Sequence, residues 1–131
     1  MIKNDIKIYT GYFARYDKYF NDDLIPISIS LSTPNGIVTK GCLSIKELAP
    51  SWNILKEYKN NGGDEYLYSI RYYREILSKL DPNSIVEKIR EKTKGSDAIL
   101  LCYEKSTDFC HRHLVSAWLR DNGYECEEYE K

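Results

Sequence analysis

The sequence has no long apolar run, no excess of either charge, only four cysteines and only two histidines. Each shortage excludes something. A membrane-spanning helix needs roughly 18 or more consecutive apolar residues, and the first apolar stretch is also too short for a signal-peptide core, so the expected location is the cytoplasm, with no membrane partner. Lys and Arg number 19 against 20 Asp and Glu, a formal net charge of −1. Such a chain has no global attraction for nucleic acid or anionic lipid, and any contact with a polyanion must come from a local patch. Cys42, Cys102, Cys110 and Cys126 are scattered rather than arranged as the dense framework of a small secreted domain, and they read as free thiols. Internal repeats and low-complexity tracts are absent as well.

What is present describes one soluble domain over residues 1–131, with 42% hydrophobic and 30% charged residues and 12 tyrosines, so that much of the apolar area carries a polar tip. Residues 5–10 read as a first strand that runs through Thr10 into a turn at Gly11. The aromatic segment with Tyr12, Phe13, Tyr16, Tyr19 and Phe20 has no clear period and offers a patch for a protein partner or a second copy of the chain. Leu24 to Leu31 alternates as a second strand, with Pro26 pushing it toward an edge or a bulge. Gly41 to Pro50 reads as an irregular connection over the carboxyl ends of the strands.

Ser51 caps a helix that stops at Asn60-Asn61-Gly62-Gly63, and Asp64 opens another whose Leu67, Ile70, Tyr73, Leu77 and Leu80 form the apolar stripe. Asp81-Pro82 starts a third helix, ended by Lys94-Gly95, whose mixed charges describe a wet face. Asp97–Tyr103 is a strand buried on both faces, a helix runs from Phe109 to about Asp121, and Tyr124–Tyr129 alternates as a last strand. A strand, a helix and a strand within about thirty residues build parallel sheets. The expectation is therefore an α/β fold, a three-layer sandwich with a mostly parallel sheet of about four strands flanked by helices.

Reactive chemistry concentrates between that buried strand and the helix after it, in Cys102, Glu104, Cys110, His111, Arg112 and His113. Ligands of open α/β sheets settle beyond the carboxyl ends of strands, beside the amino termini of the following helices. With Ser106, Thr107 or Asp108 as N-cap, the first-turn N–H groups would hold an anion and lower the pKa of the Cys110 thiol. Arg112 would bind phosphate or carboxylate bidentately, or pair with Glu104 across the loop. Glu104 is a candidate general base, and His111 a candidate proton shuttle for Cys110 or a core histidine. His111 and His113, two residues apart, point in different directions, and the spacing lacks the short cysteine hook of a structural zinc site, so no metal or other cofactor is expected.

Leu101-Cys102-Tyr103-Glu104-Lys105, a polar gap, then Cys110-His111-Arg112-His113-Leu114 and Trp118-Leu119 resembles the signature of the domain of unknown function 488 family. Ile8-Tyr9-Thr10-Gly11 is similar to that family's first strand and turn. The resemblance implies a small cytoplasmic α/β domain whose Cys102, Glu104, Cys110, His111 and Arg112 line a shared pocket, with Thr10 and Gly11 beside it. The combined expectation is an anion pocket for a phosphate-bearing small molecule, nucleotide or nucleic-acid end, serving either an enzyme with Cys110 or Glu104 as reacting group or a noncatalytic binding module.

Overall fold

The most apolar run of the chain, Ala98–Cys102, becomes the middle strand of a five-stranded sheet, as a segment with apolar side chains on both faces requires. The computed structural model describes residues 6–104 and 109–130. Its strands are β1 (Ile8–Tyr12), β2 (Ile25–Ser28), β3 (Leu43–Ser44), β4 (Ala98–Cys102) and β5 (Cys126–Glu128). All pair in parallel, in the spatial order β3-β2-β4-β1-β5. The helices are α1 (Tyr16–Asn21), α2 (Asn35–Val38), α3 (Trp52–Asn60), α4 (Glu65–Glu75), α5 (Pro82–Thr93) and α6 (His111–Asp121). The α/β expectation holds, with one strand more than anticipated.

Alternation along the strands sorts the core into two layers. Ile8, Ile27, Ala98 and Leu100 face α3, α4, α5 and α6, which contribute Ile54, Tyr72, Ile89, Val115 and Leu119 among others. Ile99 and Leu101 point the other way, onto Phe13, Tyr16 and Tyr19. Each fully buried Ile, Leu, Val or Phe among them contributes about 1.5–3 kcal/mol through removal of apolar area from water. The N-terminal aromatics are therefore mainly core: of the anticipated interaction patch, Phe20 alone is an exposed large hydrophobic residue. No helix among the described residues is long and apolar enough to cross a membrane.

The capping signals read from the sequence are met by Ser51 Oγ, which accepts from the Ile54 N–H, by the Asp64 carboxylate, which accepts from the Leu67 N–H, and by left-handed Lys94 after α5. Four expectations are corrected. Gly41–Pro50 is not an open connection: it supplies β3, and Ile45 and Leu48 are fully buried. Pro26 lies in an interior strand. It is tolerated because Ile25 and Ile29 donate toward β4, so the missing N–H of Pro26 faces the other side, where the two-residue β3 begins opposite Ile27. The buried positions of α4 are Tyr68 and Tyr72, with Leu67, Ile70 and Tyr73 only half-buried, because the Tyr72 hydroxyl donates to the Leu48 carbonyl at 2.6 Å and the ring can go fully inside.

The fourth correction concerns Gly11, which is a strand residue of β1 rather than a turn. A Cβ there would stand 2.5 Å from the Tyr19 hydroxyl and 2.8 Å from Ile99 Cδ1. The missing side chain is what lets Tyr19 cross β1, where its hydroxyl accepts from the Tyr12 N–H at 3.2 Å. Gly11→Ala should cost about 1–3 kcal/mol by overpacking. In urea unfolding it lowers the midpoint without changing the slope, and a midpoint equal to the parent's would refute this account.

Candidate functional site

The loop after β2 leaves toward β3, whereas the loop after β4 leaves toward β5 on the other side. Between two adjacent strands whose connections diverge, a crevice opens at their carboxyl ends. Here it is a cleft of about 420 Å³. Ser30 and Ser32 follow β2, Tyr103 and Glu104 follow β4, and Cys110 and His111 form one end where α6 begins. Trp52, Tyr58 and Lys59 of α3 and Tyr68 of α4 complete the wall. Tyr58 stacks on Phe109 with ring centroids 5.7 Å apart, and Tyr68 meets Phe109 edge-on at 5.1 Å, so one side of the cleft is a fixed aromatic surface.

α6 starts at His111, with Cys110 as its extended N-cap residue, later than the expected start at Phe109. The proposed caps Ser106, Thr107 and Asp108 lie outside the described residues. His111 is buried, and its Nε2 lies 2.7 Å from the Ile29 carbonyl oxygen. A carbonyl only accepts, so Nε2 carries the proton and the Nδ1 lone pair faces Cys110 Sγ at 3.7 Å. Burial, opposed by that carbonyl and assisted by the Arg112 charge, pulls the imidazole down to about 4. His111 is thus both a core histidine and a neutral acceptor aimed at sulfur.

Arg112 is fully buried and does not pair with Glu104. Its Nε and Nη2 donate to the two carboxylate oxygens of Glu128, each at 3.0 Å. Thr10 Oγ1 donates to the same carboxylate at 2.7 Å, and Arg112 Nη1 donates to Cys102 Sγ at 3.2 Å. The guanidinium also lies over the Tyr12 ring, 5.7 Å from its centroid. Cys102 and Cys110 are joined by a disulfide, which corrects the free-thiol expectation for this pair, while Cys42 and Cys126 are free. Burial pushes both of those thiols up to about 11.

The anticipated residues therefore divide. Cys110, His111 and Glu104 line the cleft. Cys102, Arg112 and Thr10 form a buried layer beside it, and Gly11 serves packing. Sequence reasoning missed Glu128 and the aromatic wall. The β5 register that sets Glu128 against Thr10 is a long-range pairing with no local signal, whereas Tyr58 and Tyr68 fall within the helices read after Ser51 and Asp64, to which no role in the site was given. The ligand atoms of Cys102, Cys110 and His111 lie within 4.8 Å of one another, closer than the spacing suggested, and in a dithiol form they could take a soft cation such as zinc.

Two outcomes follow from the buried groups. The His111 imidazole titrates at 6.5 when unfolded and about 4 when folded, so between those values the unfolded chain binds more protons. Stability then rises with pH across that window and is lost as pH falls through it, by about 3 kcal/mol. His111→Gln, which keeps an N–H for the Ile29 carbonyl, should flatten this part of the stability profile, and an unchanged profile would count against the neutral imidazole. Glu128→Ala leaves Arg112 buried without its carboxylate and should cost about 3–5 kcal/mol in urea unfolding; a loss below about 1 kcal/mol would show that the pair does not hold the site together.

No curated protein and no solved structure matches the chain. The family model described as the active DUF488-N3 subclade matches residues 14–123, a span that runs from just after β1 through the whole of α6. The chain belongs to the DUF488 family.

Proposed function

We propose that the cleft binds a nucleotide, or another phosphorylated molecule or nucleic-acid end that presents a flat ring, and that the chain is an enzyme in which reduced Cys110 is the attacking group. The observation that carries this reading is an aromatic-walled cleft ending on Cys110 and on the unprotonated nitrogen of His111. Tyr58, Tyr68 and Phe109 offer stacking surface for a ring. Lys59 and the first turn of α6 offer positive charge for a phosphate. In the dithiol form the Cys110 S–H donates to His111 Nδ1, and the helix terminus stabilises the thiolate. The thiolate attacks an electrophilic carbon or phosphorus of the ligand, the bond from that atom to its leaving group breaks, the leaving group departs with the thiol proton, and a covalent intermediate on Cys110 remains for water to hydrolyse. Glu104, on the cleft rim, is the group to take a proton from the water that completes turnover. Arg112, its guanidinium already engaged, acts by fixing α6 and Cys102 rather than by clamping the ligand.

A noncatalytic binding module is the second reading, favoured by the disulfide, which occupies the Cys110 sulfur and leaves the aromatic wall intact. Thermal shifts measured with nucleotides and sugar phosphates address both readings, since ligand at about 100 times its Kd adds about 2.7 kcal/mol to the native state. The expected result is stabilisation that Phe109→Ala weakens. In the reduced protein iodoacetamide should label Cys110 well ahead of Cys42 and Cys126. Stabilisation without preferential labelling leaves binding alone, and no stabilisation by any phosphorylated ring compound removes the ligand assignment.

A further inference from the structure

Cys102 and Cys110 share a disulfide but not an environment. Both are buried, but Cys110 lines the cleft, so the cleft is the side from which its sulfur is reached. Cys102 is the last residue of β4, is buried outside the cleft lining and receives the Arg112 Nη1–H at 3.2 Å. Arg112 is fully buried, is held by two hydrogen bonds to Glu128, and cannot swing away without losing both. In thiol–disulfide exchange the incoming thiolate attacks the accessible sulfur, and the electron pair departs on the sulfur whose anion is better stabilised. A charge-assisted hydrogen bond from a guanidinium provides that stabilisation for Cys102, whereas Cys110 has only the weaker field of the α6 terminus. The bond is therefore polarised in one direction.

We propose that the chain carries out reversible thiol–disulfide exchange with low-molecular-weight thiols and disulfides entering the cleft, with Cys110 as the exchanging sulfur and Cys102 as the resolving one. Starting from the dithiol, the Cys110 thiolate attacks one sulfur of a small disulfide. That S–S bond breaks, the first thiolate leaves, and a mixed disulfide forms on Cys110. The Cys102 thiolate, held by Arg112, then attacks Cys110 Sγ, the mixed bond breaks, and the second thiolate leaves as the internal disulfide closes. The two protein thiols are oxidised, the small disulfide is reduced to two thiols, and the protein's two thiol protons pass to the departing thiolates through solvent. Reduction by a small thiol runs through the same mixed disulfide in reverse. The inference does not require the ligand proposed above, although closing the bond withdraws Cys110 from any attack on it.

The test uses the full reduced chain and 2-hydroxyethyl disulfide, with acid quenching and peptide mapping over time. The parent protein should close Cys102 to Cys110, and Cys102→Ser should stop at a mixed disulfide on Cys110. Cys110→Ser should leave Cys102 unmodified on a timescale at least about tenfold longer. A parent protein that stays open, or is modified first at Cys102, overturns the proposal, and this arm needs no substitution. Equal modification of Cys102 in Cys110→Ser and of Cys110 in Cys102→Ser overturns its direction. Rapid alkylation of Cys110 by iodoacetamide with no internal closure sinks the exchange while keeping the nucleophile; closure without binding of any phosphorylated ring compound does the opposite.

Discussion

The two-point pairing of Arg112 with Glu128 is the constraint on which the rest of the site depends. A buried ion pair gains little net stability unless its geometry is good and its remaining hydrogen-bonding groups are satisfied. Here both conditions are met: the guanidinium spans the carboxylate, Thr10 donates to the same carboxylate, and the remaining guanidinium nitrogen reaches Cys102. Four elements meet at these contacts, with β1 giving Thr10, β4 giving Cys102, β5 giving Glu128 and α6 giving Arg112. The first turn of α6 is thereby fixed against the carboxyl ends of the strands, and Cys110 and His111 take their positions from it.

The divergence of the two central connections complements this lock. β2 and β4 are neighbours, and their connections lead to opposite sides of the sheet, so that among the described residues a cleft opens above them. Aromatic side chains from α3 and α4 line it, and Phe109 joins them from the chain just before α6. The layer beneath is rigid for a separate reason: Tyr19 crosses β1 only where Gly11 removes the side chain.

Much of this was legible in the sequence because its signals are local. The apolar run of β4, the caps at Ser51 and Asp64 and the stop at Lys94-Gly95 each depend on residues within a few positions. The place of the site was legible too, since strand, turn and helix start in that order define it. What was not legible depends on distant pairing. The partner of Arg112 was sought at Glu104, eight residues away, but the fold supplies Glu128, because β5 pairs beyond β1 and sets that carboxylate level with Thr10. The joining of Cys102 to Cys110 was hidden because two cysteines eight residues apart carry no local signal of pairing. The misread face of α4 has another cause: the stripe through Leu67, Ile70 and Tyr73 left out Tyr68 and Tyr72, and a tyrosine with a carbonyl for its hydroxyl buries completely.

The shortness of β3 has a consequence beyond accommodating Pro26. The two outer strands of the sheet, β3 and β5, have two and three residues. An unpaired strand edge is a template on which another chain can add a strand, and its adhesiveness grows with its length and flatness. This sheet keeps its long, strongly apolar strands inside and ends on both sides in segments too brief to recruit a neighbour. An all-parallel sheet with a fully apolar central strand is thereby protected from edge-to-edge aggregation.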